Sequence, residues 1–109
     1  MIRYAEIILL AAEANLEQEK RSEAIELTNK VRVRNERSVL NGNSSKTIIQ
    51  EAILEEWEKD LAKEGVWFSA LKRFNLAEKT LEIPEYMILL PIPRRELDYN
   101  PYMSQNPGY

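Results

Sequence analysis

The segment IIQEAILEEWEKDLAKEGVWFSALKRF, residues 48–74, constrains the fold more than any other part of the chain. Ile49, Ile53, Trp57 and Leu61 recur every fourth residue and Ile48 and Ala52 widen the row, while Gln50, Glu51, Glu55, Glu58, Lys59 and Lys63 fall elsewhere on the wheel. An apolar stripe at that period marks an amphipathic helix, which has to bury one face against something. Thr47 followed by Gln50 has the form of a capping box, so the helix is expected to begin at 47. Gly65 arrives as the row ends, and without a Cβ it can take the left-handed conformation that closes a helix. Trp67, Phe68, Leu71 and Phe74 then restart a helical spacing. The pattern predicts a helix over 47–64, a Gly-centred corner, and a short aromatic helix over 67–75.

Two further helices are expected before this stretch. Ile2, Ala5, Leu9, Ala12 and Leu16 form a seam over 2–18, with Ile7, Leu10, Ala11 and Ala14 spreading apolar surface beyond it. A helix so apolar normally has partners on more than one side. Ser22 stands where it could cap a second helix over 23–37, whose inner face would be Ala24, Leu27, Thr28 and Val31. The short connection makes this pair an antiparallel hairpin with Ala5 and Ala12 allowing close approach. Residues 38–46, with Asn41-Gly42-Asn43-Ser44-Ser45, form a polar loop. Beyond residue 76 the periodicity is lost: Pro84, Pro91 and Pro93 favour extended chain, Pro93 to Leu97 can form one helical turn, and Asn106-Pro107-Gly108 marks a tight turn. The expected architecture is all-α, with about four helices in tetratricopeptide-like hairpins over 1–75 and an extended Pro-rich tail over 76–109 packing on them.

Composition removes most chemistry. Lys plus Arg number 15 against 18 Asp plus Glu, a formal charge of −3, so no global basic field would attract nucleic acid. There is no cysteine and no histidine, which excludes disulfides, thiolate or histidine-assisted nucleophiles and the usual nitrogen and sulfur ligands of zinc. No Gly-rich phosphate loop is present. The longest apolar run, Ile7 to Ala12, is far short of the ~20 residues that cross a bilayer. Glu51 with Glu55, and Glu56 with Asp60, stand one helical turn apart as a glycosidase pair would, but adjacent carboxylates on a helix are ordinarily solvated charge. Neither an enzyme nor a bound cofactor or metal is expected.

Two groups of side chains remain as candidates. Trp57, Trp67, Phe68 and Phe74 either fill the corner between helices or offer rings for sugars to stack on; corner filling is the reading taken, since large aromatics dominate core burial. If ligand contact is made at all, Trp67, Phe68, Asn41 and Tyr99 are the residues to carry it. Arg3, Glu6, Glu13, Arg32, Arg34, Glu56 and Glu64 are expected to form ion pairs that fix how the helices meet, because buried charge is tolerated only when paired.

The corner also carries a resemblance. Glu56 to Phe74, E-x-x-x-D-L-A-x-E-G-x-W-F-x-x-L-x-R-F, resembles the E-L-(A)-x-E-G-x-R-W-x-D-L-x-R-W signature of the SusD/RagB family, with Val66 and Ser69 where that family usually carries Arg and Asp. Arg3-Tyr4-Ala5-Glu6 with Ala12-Glu13-Ala14, Leu27 to Arg34 as LTNKVRVR, LLPIPRREL and NPYMSQNPGY agree in the same order. The resemblance implies the C-terminal scaffold of a glycan-binding or nutrient-binding lipoprotein, surface-exposed on the outer membrane. Such a protein hands oligosaccharide to a TonB-dependent, SusC-like transporter and makes or breaks no bond. It also implies that most glycan contacts come from chain preceding this region, and that a leader and lipid anchor lie ahead of Met1. The uncapped, widely apolar first helix fits a fragment, which is then expected to self-associate through that helix. The alternative is a free-standing helical protein–protein interaction adaptor.

Overall fold

The computed structural model describes residues 2–61 and 65–109. Among the described residues there are six α-helices, α1 Tyr4–Glu17, α2 Arg21–Arg34, α3 Lys46–Leu61, α4 Trp67–Arg73, α5 Ala77–Leu81 and α6 Arg94–Tyr99, with a 3-10 turn at Glu85–Ile88 between the last two. Among the described residues there is no strand, and no helix is long and apolar enough to cross a membrane. The all-α expectation holds. The chain divides into two compact units, Met1–Ala70 and Leu71–Tyr109.

In the first unit α1 and α2 pack as a hairpin and α3 packs against both. Ala5, Leu9, Ala12 and Leu16 of α1, Val31 of α2, and Ile49, Ile53, Trp57 and Leu61 of α3 are buried, so the every-fourth-residue rows become the core. Full burial of each large member stabilises by roughly 1.5–3 kcal/mol. Thr28 is buried among them without an orphan hydroxyl, because its Oγ1 donates to the Ala24 carbonyl at 2.7 Å.

The helix starts differ from expectation, and each difference has a local cause. Ile2 precedes α1 and is exposed, so it is not part of the seam. Ser22 lies inside the first turn of α2, which begins at Arg21 with no side-chain cap, and Ile25 is buried where Leu27 is only half-buried. Thr47 is likewise inside α3. Ser45 stands one residue before that helix, and its Oγ accepts from the Ile48 N–H at 3.4 Å. The end of the expected helix 47–64, and Glu64 with it, lies outside the described residues.

The ends of α1, α2 and α4 follow one pattern. Glu19 after α1, Glu36 after α2 and Asn75 after α4 have positive φ, 61°, 56° and 55°. At each the next N–H reaches back five residues: Lys20 to Asn15 at 2.9 Å, Arg37 to Arg32 at 2.8 Å, Leu76 to Leu71 at 2.9 Å. These are Schellman closures, which satisfy carbonyls the last turn leaves free. Glycine is the residue that reaches the left-handed region without a Cβ penalty, yet glutamates occupy two of these positions. Glu36→Gly is therefore expected to raise stability by about 0.5–1 kcal/mol, readable as a higher urea midpoint; a lower midpoint would show that Gly's extra freedom in the unfolded chain outweighs the relief. Gly65 itself has φ 75°, as a Gly-centred corner requires.

The second unit is more helical than its sequence suggests. Ala77–Leu81 is only five residues long, too short to show a period, and Tyr86 to Ile88 lie in the 3-10 turn where an extended segment was expected. The single helical turn after Pro93 is present and extends to Tyr99. Side chains from 105–109 seal the backbone of 89–92. The Gln105 amide accepts from the Ile92 N–H at 2.8 Å and donates to the Ile92 carbonyl at 3.0 Å. Asn106 Nδ2 donates to the Leu90 carbonyl at 2.6 Å and the Tyr109 hydroxyl to the Leu89 carbonyl at 2.9 Å. Gly108, φ 93°, lies so close to Tyr86 that a Cβ there would stand 2.4 Å from the ring's Cγ.

Candidate functional site

The densest polar arrangement in the first unit lies along one face of α3. Glu56 is fully buried, and its carboxylate is held from both sides. Arg32 Nη1 donates to Oε1 at 3.2 Å and Asn35 Nδ2 to Oε2 at 2.9 Å. Arg37 Nη1 lies 2.9 Å from Oε1 as an ion pair, off the axis a hydrogen bond needs. Arg32 also binds Glu55 Oε2 at 2.9 Å and, through Nε, the Ser38 carbonyl at 2.6 Å. One turn on, Asp60 receives Arg34 at 2.5 Å and Arg3 at 3.8 Å, so carboxylates of α3 reach both α2 and the residue that opens α1. A buried carboxylate with three donors around it is a structural lock, not a proton shuttle.

Of the residues expected in ion pairs, Arg3, Arg34, Arg32 and Glu56 are in this network. Glu13 is buried on α1; Glu6, half-buried on the same helix, has no ion-pair partner among the described residues. Sequence reasoning misses Asp60, Glu55, Asn35 and Arg37. Asp60 is four residues from Glu56 and so shares its face, a spacing that in sequence reads as ordinary solvated charge. Asn35 and Arg37 were beyond such reach, because the closure at Glu36 turns them back onto α3.

Glu55 sits at the wet edge. Its pKa is lowered from an ordinary 4.5 to about 2, chiefly by the hydrogen bond from Lys59, then by that from Arg32, with burial acting in the opposite direction. A carboxylate depressed in the folded protein contributes stability that is complete above pH 4.5 and is lost as the pH falls toward 2. Glu55→Gln is expected to flatten the acid limb of stability against pH over that window while lowering the neutral-pH midpoint slightly. An unchanged acid limb in urea titrations would count against this pairing.

The four candidate ligand residues are not drawn into one place. Trp67 and Phe68 are half-buried neighbours in the first turn of α4. Asn41, exposed in the α2–α3 loop, is occupied structurally: its Oδ1 accepts from the Asn43 N–H at 3.0 Å and its carbonyl from Ser44 Oγ at 2.6 Å. That loop is pinned by Asn29, whose amide makes a paired contact with Leu40 at 2.7 and 3.3 Å. Tyr99 belongs to the second unit, exposed, with the Arg95 guanidinium 5.5 Å from its ring centre.

Cavities open elsewhere. One of about 360 Å³ in the first unit is lined by Leu40, Ile48, Ala52, Glu51, Glu55 and Arg32. Its charged members are already committed to one another at Glu55 and Arg32. A larger one of about 420 Å³, in the second unit, is lined by Glu85, Tyr86, Ile88, Leu89 and Pro107. Among the described residues no group of three or more His, Cys, Asp or Glu side chains could hold a metal ion.

Comparison with known proteins bears on this arrangement. Residues 1–88 match the family model described as the SusD family. The chain is also 31% identical, over 121 aligned residues, to a SusD-like protein P38 of Formosa agariphila, the alignment covering all of this chain and 24% of that protein. The chain thus spans about a quarter of the length of the curated relative it matches. No solved structure matches it significantly.

Proposed function

This chain belongs to the SusD family, and from that premise we propose that it serves as helical scaffold in a nutrient-binding protein that captures glycan at the outer membrane with a TonB-dependent transporter. The family consists of binding proteins, and no bond is made or broken in this role. The observation that carries the reading is the family match over 1–88. That span contains the hairpin, α3 and the buried Arg32–Glu56 lock, which supports a rigid frame more than a reactive centre. In this reading the protein is held at the cell surface by a lipid anchor and passes oligosaccharide to a SusC-like barrel.

A strain lacking the gene is expected to lose growth on one polysaccharide while keeping growth on its monosaccharide, and the tagged protein to co-purify with a TonB-dependent barrel. Unimpaired growth on every polysaccharide tried, with only soluble proteins captured, would remove this function.

One observation fits a fragment whose neighbours lie elsewhere as well as it fits an adaptor. Tyr4, Ile7 and Leu10, 75%, 54% and 41% exposed, lie with Ala14 along one outward stripe of α1. Such a stripe is an association surface, so the isolated chain is expected to self-associate and to bind an apolar dye. Sedimentation of a clean monomer with no dye enhancement, or behaviour unchanged in Ile7→Ser, would count against it.

A further inference from the structure

The 420 Å³ cavity does not stand alone. A second, of about 180 Å³, is lined by Lys72, Asn75, Ala77 and Glu78 together with Glu85 and Ile88, which also line the first. The two share Glu85 and Ile88 and so adjoin within the second unit as the two halves of one surface cleft, and the halves differ in chemistry. The larger half is walled by Tyr86, Ile88, Leu89 and Pro107, which are almost wholly hydrocarbon. The smaller presents an ammonium, an amide and a carboxylate, with the Glu85 carboxylate at the junction.

The aromatic wall is fixed before any ligand arrives. Tyr109 packs edge-on to Tyr86, centroids 5.3 Å apart at 83°, and Gly108 lies against the Tyr86 ring with no room for a Cβ. Asn75 is fixed as well, in the left-handed position that closes α4. A rigid ring therefore costs little further order on binding. A volume of 420 Å³ lies within the roughly 300–1,000 Å³ of small-molecule sites.

We propose that this cleft binds a neutral oligosaccharide, one pyranose ring laying its C–H face on Tyr86, Leu89 and Pro107 while the next directs hydroxyls to Glu85, Glu78, Asn75 and Lys72. A sugar ring has this same division, a hydrocarbon face and a rim of hydroxyls that both donate and accept. Glu78 and Glu85 accept from hydroxyls, Lys72 donates and Asn75 does both. Two carboxylates against one ammonium repel sulfated or uronic chains, which sets the class as neutral. The proposal rests on the glycan-uptake reading above and places a subsite on a unit that sequence reasoning treated as a tail.

The test is a titration of the ¹⁵N-labelled 109-residue chain with maltotriose, xylotriose and laminaritriose, with tri-leucine and a sulfated disaccharide as controls. Saturable amide shifts at Tyr86, Ile88, Leu89 and Gly108 are expected for at least one neutral trisaccharide, weakened roughly tenfold or more in Tyr86→Ala and in Glu85→Ala. Glu85 is exposed, so its variant keeps the spectrum of the folded chain if Tyr86→Ala disturbs the packing of Gly108. Shifts confined to Trp67, Phe68 or Asn41 would overturn the cleft and leave the glycan reading standing. Tri-leucine or the sulfated sugar binding in place of the neutral ones would overturn the assigned class. No shift with any sugar removes the cleft, whereas the growth phenotype decides the glycan reading separately.

Discussion

Glu56→Ala is expected to lower the stability of the first unit by about 3–5 kcal/mol, the cost of removing one partner from a buried, hydrogen-bonded charge network. The side chain is wholly out of solvent, and its two oxygens hold Arg32, Arg37 and Asn35. Deleting it leaves two guanidinium groups facing a position that no longer carries negative charge. Arg32 keeps Glu55 and the Ser38 carbonyl, which limits the loss, but Arg37 and Asn35 lose the acceptor that turned them inward. Glu56→Gln should fall between: an acceptor oxygen remains, but the added NH₂ is a donor among donors. Urea denaturation followed by circular dichroism measures both. A loss below about 1 kcal/mol for the alanine would mean the site behaves like a solvated surface pair, and the lock would be abandoned.

Trp57→Ala is expected to cost about 3–5 kcal/mol for a different reason, the loss of the largest fully buried side chain and the cavity it leaves. Trp57 is 1% exposed on the core face of α3, between Ile53 and Leu61 in the same row. The chain has two tryptophans, so the variant also isolates the emission of half-buried Trp67, expected at longer wavelength than that of the parent. A cost near 1 kcal/mol would mean that α1 and α2 close over the gap. Trp57 and Glu56 are neighbours on one helix, so the double variant should not show the sum of the two losses.

The parts of the fold that were legible in the sequence are those where one physical rule acts alone. Every fourth residue of 49–61 is apolar because one helical face is buried, and all four members of that row are in the core. The same holds for Ala5, Leu9, Ala12 and Leu16. Helix starts were less legible because Ser45, Thr47 and Ser22 all satisfy the cap preference, and only the path of the preceding chain decides which one stands at the boundary. The network was half legible. A charge expected to be buried implies a partner, but which carboxylate receives which arginine depends on the turn at Glu36. In the second unit, the cleft was hidden because its walls come from the end of α4, the start of α5, the 3-10 turn and Pro107, segments that carry no common period.

The seal on residues 89–92 is built from amide and phenol groups where a sheet would use a neighbouring chain. A strand partner comes away one residue at a time; here a single change at Gln105 releases both polar groups of Ile92 together. What it uncovers is the unpaired N–H and carbonyl of Ile92 beside exposed Leu89 and Leu90, a corner another molecule can cover even though Pro91 has no N–H to give to a ladder. Damage to this corner would thus be seen first as turbidity, well before any loss of helical signal.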